Sequence, residues 1–120
     1  MKITELQEIY FRFLNLFKAI EELPGFPMLD GIEKALLDEL SLSWKKGHNL
    51  LVSQAINLPE IGSPATLHSR LKNLHKMGMI EYAVDTDARK KYIQPTDKAL
   101  KYFGQISDCM NQAIALKTGN

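Results

Sequence analysis

The 120-residue sequence predicts a mainly α-helical protein carrying one small β-hairpin, an α+β chain in which helices do most of the packing. Three observations lead there. Residues 63–80 hold a helix start, a helical apolar period and a helix stop; two β-rich runs, 79–84 and 91–95, follow with a polar tip between them; and amphipathic stretches stand at both ends of the chain. With 45% hydrophobic residues the chain can build its own core and reads as one domain over residues 1–120.

The first stretch, Thr4 to Glu22, places Leu6, Ile9, Tyr10, Phe13, Leu14, Phe17 and Ile20 on one wide helical stripe, with Phe11 just off it. This is more apolar surface than one surface helix of a small domain needs. It either caps the domain core or packs against a second copy of the chain. Two prolines and a glycine in Leu23–Pro27 end the helix. Asp30 then caps a second helix running to Leu42 or Trp44, with Glu33 at the capping-box position and Ile32, Leu36, Leu37 and Leu40 facing inward. Trp44 reads as a packing anchor, and Lys45-Lys46-Gly47 breaks the helix. Asn49 to Ile56 suits a short strand-like lead into about two helical turns, and Asn57 to Gly62 forms a turn.

Ser63 is a good N-cap for the next helix, Pro64 falls at the first helical position where its missing N–H costs nothing, and Gly78 supplies a left-handed stop. Leu67, Leu71 and Leu74 make a narrow inward stripe. Thr66, His68, Ser69, Lys72 and His75 point away from it, with Arg70 and Lys76 near its margins. A short helix, a glycine-containing turn and a second helix with a small, polar, basic outer face form a helix-turn-helix, and such a face suits the major groove of DNA. The two β-rich runs around Asp85–Lys90 form a hairpin with a basic tip, and Thr96 caps a last helix with Ala99, Leu100, Phe103, Ile106, Met110 and Ala113 on its stripe. Lys117–Asn120 is expected to fray.

Charge is unevenly divided. Residues 1–44 carry a net −4, residues 45–91 a net +4 with all three histidines, and residues 92–120 a net +1. A basic middle between other segments is the footprint expected for binding a polyanion. No apolar run is long enough for a membrane span and the N-terminus lacks a signal-peptide pattern, so a cytoplasmic protein is expected. Cys109 has no intrachain partner and no Cys/His neighbours for zinc, and reads as a packed helix residue. His68 and His75 share a helix face but are separated by about 10 Å, too far for one ion, so no metal and no cofactor are expected. No phosphate loop or paired His/Cys constellation is present, and an enzyme is not expected.

The element order is that of a winged helix-turn-helix flanked by N- and C-terminal helices, and the sequence resembles the MarR family of bacterial transcriptional regulators. Leu74-His-Lys-Met-Gly-Met-Ile80 is similar to that family's leucine, three-residue spacer, glycine and hydrophobic pair. Asp87-Ala-Arg89 is similar to its Asp-x-Arg wing motif, and Lys91-Tyr-Ile-Gln-Pro-Thr96 to the following strand and helix start. The resemblance implies a dimeric DNA-binding regulator with residues 1–23 as a dimerisation helix, 30–95 as the winged core and 96–117 as the C-terminal helix. It puts the helix at 63–77 in the major groove, and Arg89, on the wing at 85–91, in the minor groove.

On this reading Ser63, at the cap of the reading helix, is itself among the DNA-binding residues, Thr66, His68, Ser69 and Lys72 reach base edges, and Arg70, Lys72, Lys76, Arg89, Lys90 and Lys91 neutralise phosphates. Asp87 orients Arg89. Leu6, Tyr10, Phe13, Phe17, Phe103 and Met110 form the homodimer layer, which would put two reading helices on a roughly palindromic operator. A small apolar effector between the terminal helices and the Trp44 helix is a further expectation. The alternative is a winged-helix module that binds another protein, since the fold alone does not specify nucleic acid.

Overall fold

The computed structural model describes residues 1–86 and 89–116, and its contacts divide into two compact units, Leu29–Leu100 and Met1–Met28 with the described residues from Lys101 onward.

In the larger unit, α2 (Gly31–Lys45) begins at a complete capping box in which Asp30 and Glu33 each accept the other's backbone N–H. Leu36, Leu37 and Leu40 are buried against Leu67, Leu71 and Leu74 of α4 (Pro64–Lys76), and Met79, Ile80 and Ile93 complete that core. The narrow leucine stripe expected of α4 is therefore its only buried line. Before it, α3 (Val52–Ala55) is a single turn.

Strand β1 (Ile80–Val84) pairs antiparallel with β2 (Lys91–Pro95), Ile80 opposite Pro95 and Tyr82 opposite Ile93. The strand-like lead at Asn49 shrinks to one bridge, Leu51 to Tyr92, with Ile93 N–H donating to Leu50 O at 2.9 Å. Gly78, at φ +79°, turns the chain from α4 into β1. Thr96 closes the hairpin base: its N–H donates to Met79 O at 3.1 Å, its hydroxyl donates to Gly78 O, and its Oγ1 accepts Ala99 N–H at 3.2 Å to cap α5 (Asp97–Ala115). Lys98 Nζ donates to Met77 O at 2.7 Å, placing a cation on the carboxyl end of α4.

In the smaller unit α1 (Glu5–Glu21) is capped by Thr4, whose hydroxyl accepts Gln7 N–H at 3.2 Å while Gln7 Oε1 accepts Thr4 N–H at 2.8 Å. None of its residues is buried. Arg12 Nε donates to Ala113 O at 2.9 Å and its guanidinium pairs with Glu5 at 2.7 Å, joining α1 to α5. Phe13 stacks on Phe17, Phe17 meets Phe26 edge-on, and Phe26 lies 5.4 Å from the buried Tyr102.

The phase of α5 departs from expectation. Leu100 and Met110 are exposed, and the buried positions are Ala99, Tyr102, Cys109 and Ala113. Two overlapping apolar lines run along this helix. Ala99 and Ala113 are buried as expected, and Tyr102 and Cys109, each one position before the expected Phe103 and Met110, are buried with them. Cys109 is packed as expected, and burial together with nearby Asp108 pushes its thiol above the usual range. No described helix is long and apolar enough to cross a membrane.

Candidate nucleic-acid interface

The site begins with the start of α4. Ser63 Oγ accepts Thr66 N–H at 3.3 Å and also donates to Thr66 Oγ1 at 3.0 Å, so both hydroxyls are engaged in starting the helix. With the three leucines inward, Ala65, His68, Ser69, Lys72 and Lys76 are exposed. None is bulky and apolar. They line, with Asp30 and Glu33, an open groove of about 630 Å³ beside α4.

Four of the expected base-facing or phosphate-facing residues, His68, Ser69, Lys72 and Lys76, thus stand together on one open face. Ser63 and Thr66 lie at its amino end. Arg70 is partly buried, and its Nε donates to Asp30 Oδ2 at 2.7 Å. The Glu33 N–H and, after it, the Arg70 guanidinium hold the Asp30 carboxyl below its usual range.

The hairpin supplies the second part. Arg89, Lys90 and Lys91 are exposed and flank a hollow of about 410 Å³ with Leu51, Val52, Ser53 and Tyr82. Lys91 Nζ sits 5.9 Å above the Tyr82 ring, whose other neighbour is His75 of α4, 4.7 Å between centroids. Burial pushes the Tyr82 phenol above its usual range. Asp87 lies outside the described residues, and its expected orientation of Arg89 with it.

Sequence reasoning missed two features here. Glu33 is almost fully buried and accepts a hydrogen bond from Asn73, and His75, exposed and pointing away from the leucine stripe as expected, also contacts Tyr82. The capping-box spacing gave a signal for Glu33 only within its own helix. Among the described residues no group of three or more His, Cys, Asp or Glu could hold a metal ion.

The residues expected at a dimer layer divide by exposure. Leu6, Tyr10 and Met110 are 81%, 58% and 48% exposed, whereas Phe13, Phe17 and Phe103 are half-buried in the aromatic chain of the smaller unit.

No protein-family model matches the sequence, and no curated protein does. Solved structures are similar in fold. MepR of S. aureus bound to ethidium bromide aligns with a TM-score of 0.62 at 20% identity, covering 97% of this chain and 85% of that one. A MepR point mutant bound to an oligodeoxyribonucleotide aligns at 0.59 and 17% identity, covering 93% and 78%. YusO of Bacillus subtilis aligns at 0.53 and 19% identity, covering 92% and 70%. The class defined by this architecture is the winged helix, and the chain has the fold of the MarR-type transcriptional regulators that its sequence resembles.

Proposed function

We propose that the protein is a sequence-specific double-stranded DNA-binding transcriptional regulator that acts as a homodimer on a roughly palindromic operator. In this reading α4 enters the major groove and the wing, residues 85–91, lies at the minor groove. The observation that carries it is the outer face of α4, where Ala65, His68, Ser69, Lys72 and Lys76 leave a small, polar, basic surface unobstructed. Arg89, Lys90 and Lys91 extend that charge onto the hairpin.

The fold likeness to a MepR mutant bound to an oligodeoxyribonucleotide supports the same assignment. Homodimerisation is supported by the apolar face of α1, where Leu6 and Tyr10 stay exposed although the helix carries a long apolar stripe. A small apolar effector remains part of the proposal; the MepR form similar in fold is bound to ethidium, an aromatic organic cation.

Selection of bound sequences from a random double-stranded pool, with titration of the winners at two salt concentrations, tests it. A recovered inverted repeat bound with steep salt dependence is expected. Recovery of no motif, with weak binding throughout, would replace this reading with that of a protein-binding winged-helix module.

A further inference from the structure

Two carboxylates at the start of α2 each use one oxygen to cap their own helix and the other to hold α4. Asp30 Oδ1 accepts Glu33 N–H at 2.7 Å while its Oδ2 accepts Arg70 Nε–H at 2.7 Å. Glu33 Oε1 accepts Asp30 N–H at 2.9 Å while its Oε2 accepts from the Asn73 amide. Asp30 and Glu33 are three apart on one helix and Arg70 and Asn73 three apart on the other, so the contacts form two parallel rungs, each joining residues 40 apart in sequence.

The rungs supply what the core cannot. Leu67, Leu71 and Leu74 hold α4 by apolar contact, which is non-directional and tolerates small rotations of the helix about its axis. Hydrogen bonds from two successive turns are directional, and both can be kept only at one rotation and one axial position. Glu33 is 4% exposed, so a departure that breaks its rung leaves a buried carboxylate short of a partner.

We propose that Arg70 is a positioning residue of the reading helix: with Asn73 it sets the rotation of α4 against α2, and thereby the register in which His68, Ser69 and Lys72 meet base edges. This rests on the DNA-reading function proposed above and specifies how that function gains its discrimination. Arg70 Nε is engaged by Asp30, and on this proposal the guanidinium adds no neutralised phosphate to the complex.

The test is fluorescence anisotropy with the selected operator and a scrambled duplex, each over a range of salt, using the full chain and the variants R70M, D30N and R70M/D30N. The affinity ratio of operator to scrambled duplex is expected to fall on the order of tenfold in each single variant and no further in the double, the mark of residues acting through one contact. The dependence of log affinity on log salt is expected to keep the wild-type slope in R70M.

A slope lowered by about one with the ratio intact would make Arg70 a phosphate contact and overturn the proposal. So would D30N with an unchanged ratio. The added charge of D30N acts on both duplexes alike and cancels in the ratio. Asparagine still caps α2, so D30N decides the matter should R70M fail to fold. If the wild-type chain itself selects no motif, the DNA reading fails and the positioning role with it; a wild-type motif with insensitive variants removes the positioning role alone.

Discussion

The imidazole of His75, in the last turn of α4, packs 4.7 Å from the ring of Tyr82 in the middle of β1, and so ties the end of α4 to the hairpin. Lys91 approaches the same tyrosine ring from β2. Side chains from α4, β1 and β2 thus meet at one aromatic residue. Replacing His75 by alanine should cost about 0.5–1.5 kcal/mol, the scale of a ring pair beyond its buried area. In urea unfolding this predicts a lower midpoint with an unchanged slope. An unaltered midpoint would show that the contact contributes nothing to stability.

Arg89→Ala should weaken binding to operator and scrambled duplexes by similar factors and reduce the salt slope by about one. The measurement is the same anisotropy titration, and the contrast with Arg70 is its value. A loss confined to the operator would mean that Arg89 reads sequence rather than charge.

Gly78→Ala should destabilise the chain by about 1 kcal/mol. The cause is the backbone at φ +79°, not crowding, because the nearest atom to an added Cβ is the flexible Lys98 Cδ at 3.8 Å. Thermal unfolding checks this, and Gly78→Asn, which tolerates the left-handed region better, should recover part of the loss. Equal stability of the alanine variant would count against strain at this position.

Asp30 predicts a pH effect whose sign follows from its lowered pKa. The folded state holds the carboxylate below its unfolded value, so its contribution is fully present above about pH 4 and is lost as pH falls through the folded pKa. The stability difference between wild type and D30N should therefore shrink on acidification below about pH 4. Asp38, whose carboxyl burial holds above the ordinary range, acts in the opposite sense, which is why the difference between the two proteins is the quantity to follow. A difference constant from neutral pH to about pH 2 would contradict this account.

Leu6→Glu combined with Met110→Glu places charge on two strongly exposed apolar positions of the smaller unit. If those side chains meet a second copy, sedimentation should change from a dimer to a monomer. Both positions are open to solvent in the single chain, so the secondary structure seen by circular dichroism should persist. A wild-type chain that sediments as a monomer would dismiss the dimer outright.

Much of this architecture could be read from local patterns. Ser63, Pro64, three leucines and Gly78 mark α4 to within a residue, and Asp30 with Glu33 marks the start of α2, because caps and periodicity act over three or four positions. The Arg70 and Asn73 contacts left no such trace. Their partners are 40 residues away, and nothing in the spacing of α4 distinguishes an arginine held by a carboxylate from one held by water.

The face of α5 was misjudged for another reason. Of the expected stripe Ala99 and Ala113 are buried while Leu100 and Met110 are exposed, and Tyr102 and Cys109 are buried instead, a shift of phase set by tertiary neighbours that the helical period alone does not reveal. The expected reading face on α4 was legible in the same way as the helix itself: residues that are not leucines at the inward spacing must face out.

The bridge between Leu51 and Tyr92 gives the hairpin a further property. It covers the far side of β2, so this strand is flanked on both sides while β1 has a ladder partner on one side only among the described residues. The little sheet can therefore grow in one direction alone. That single open border is five residues long and bears the charged side chain of Glu81, exposed beside Gln94, whose amide donates to it at 2.9 Å. Shortness and charge are both deterrents to strand addition. The open border of β1 is thereby discouraged from adding a strand from a second copy of the chain.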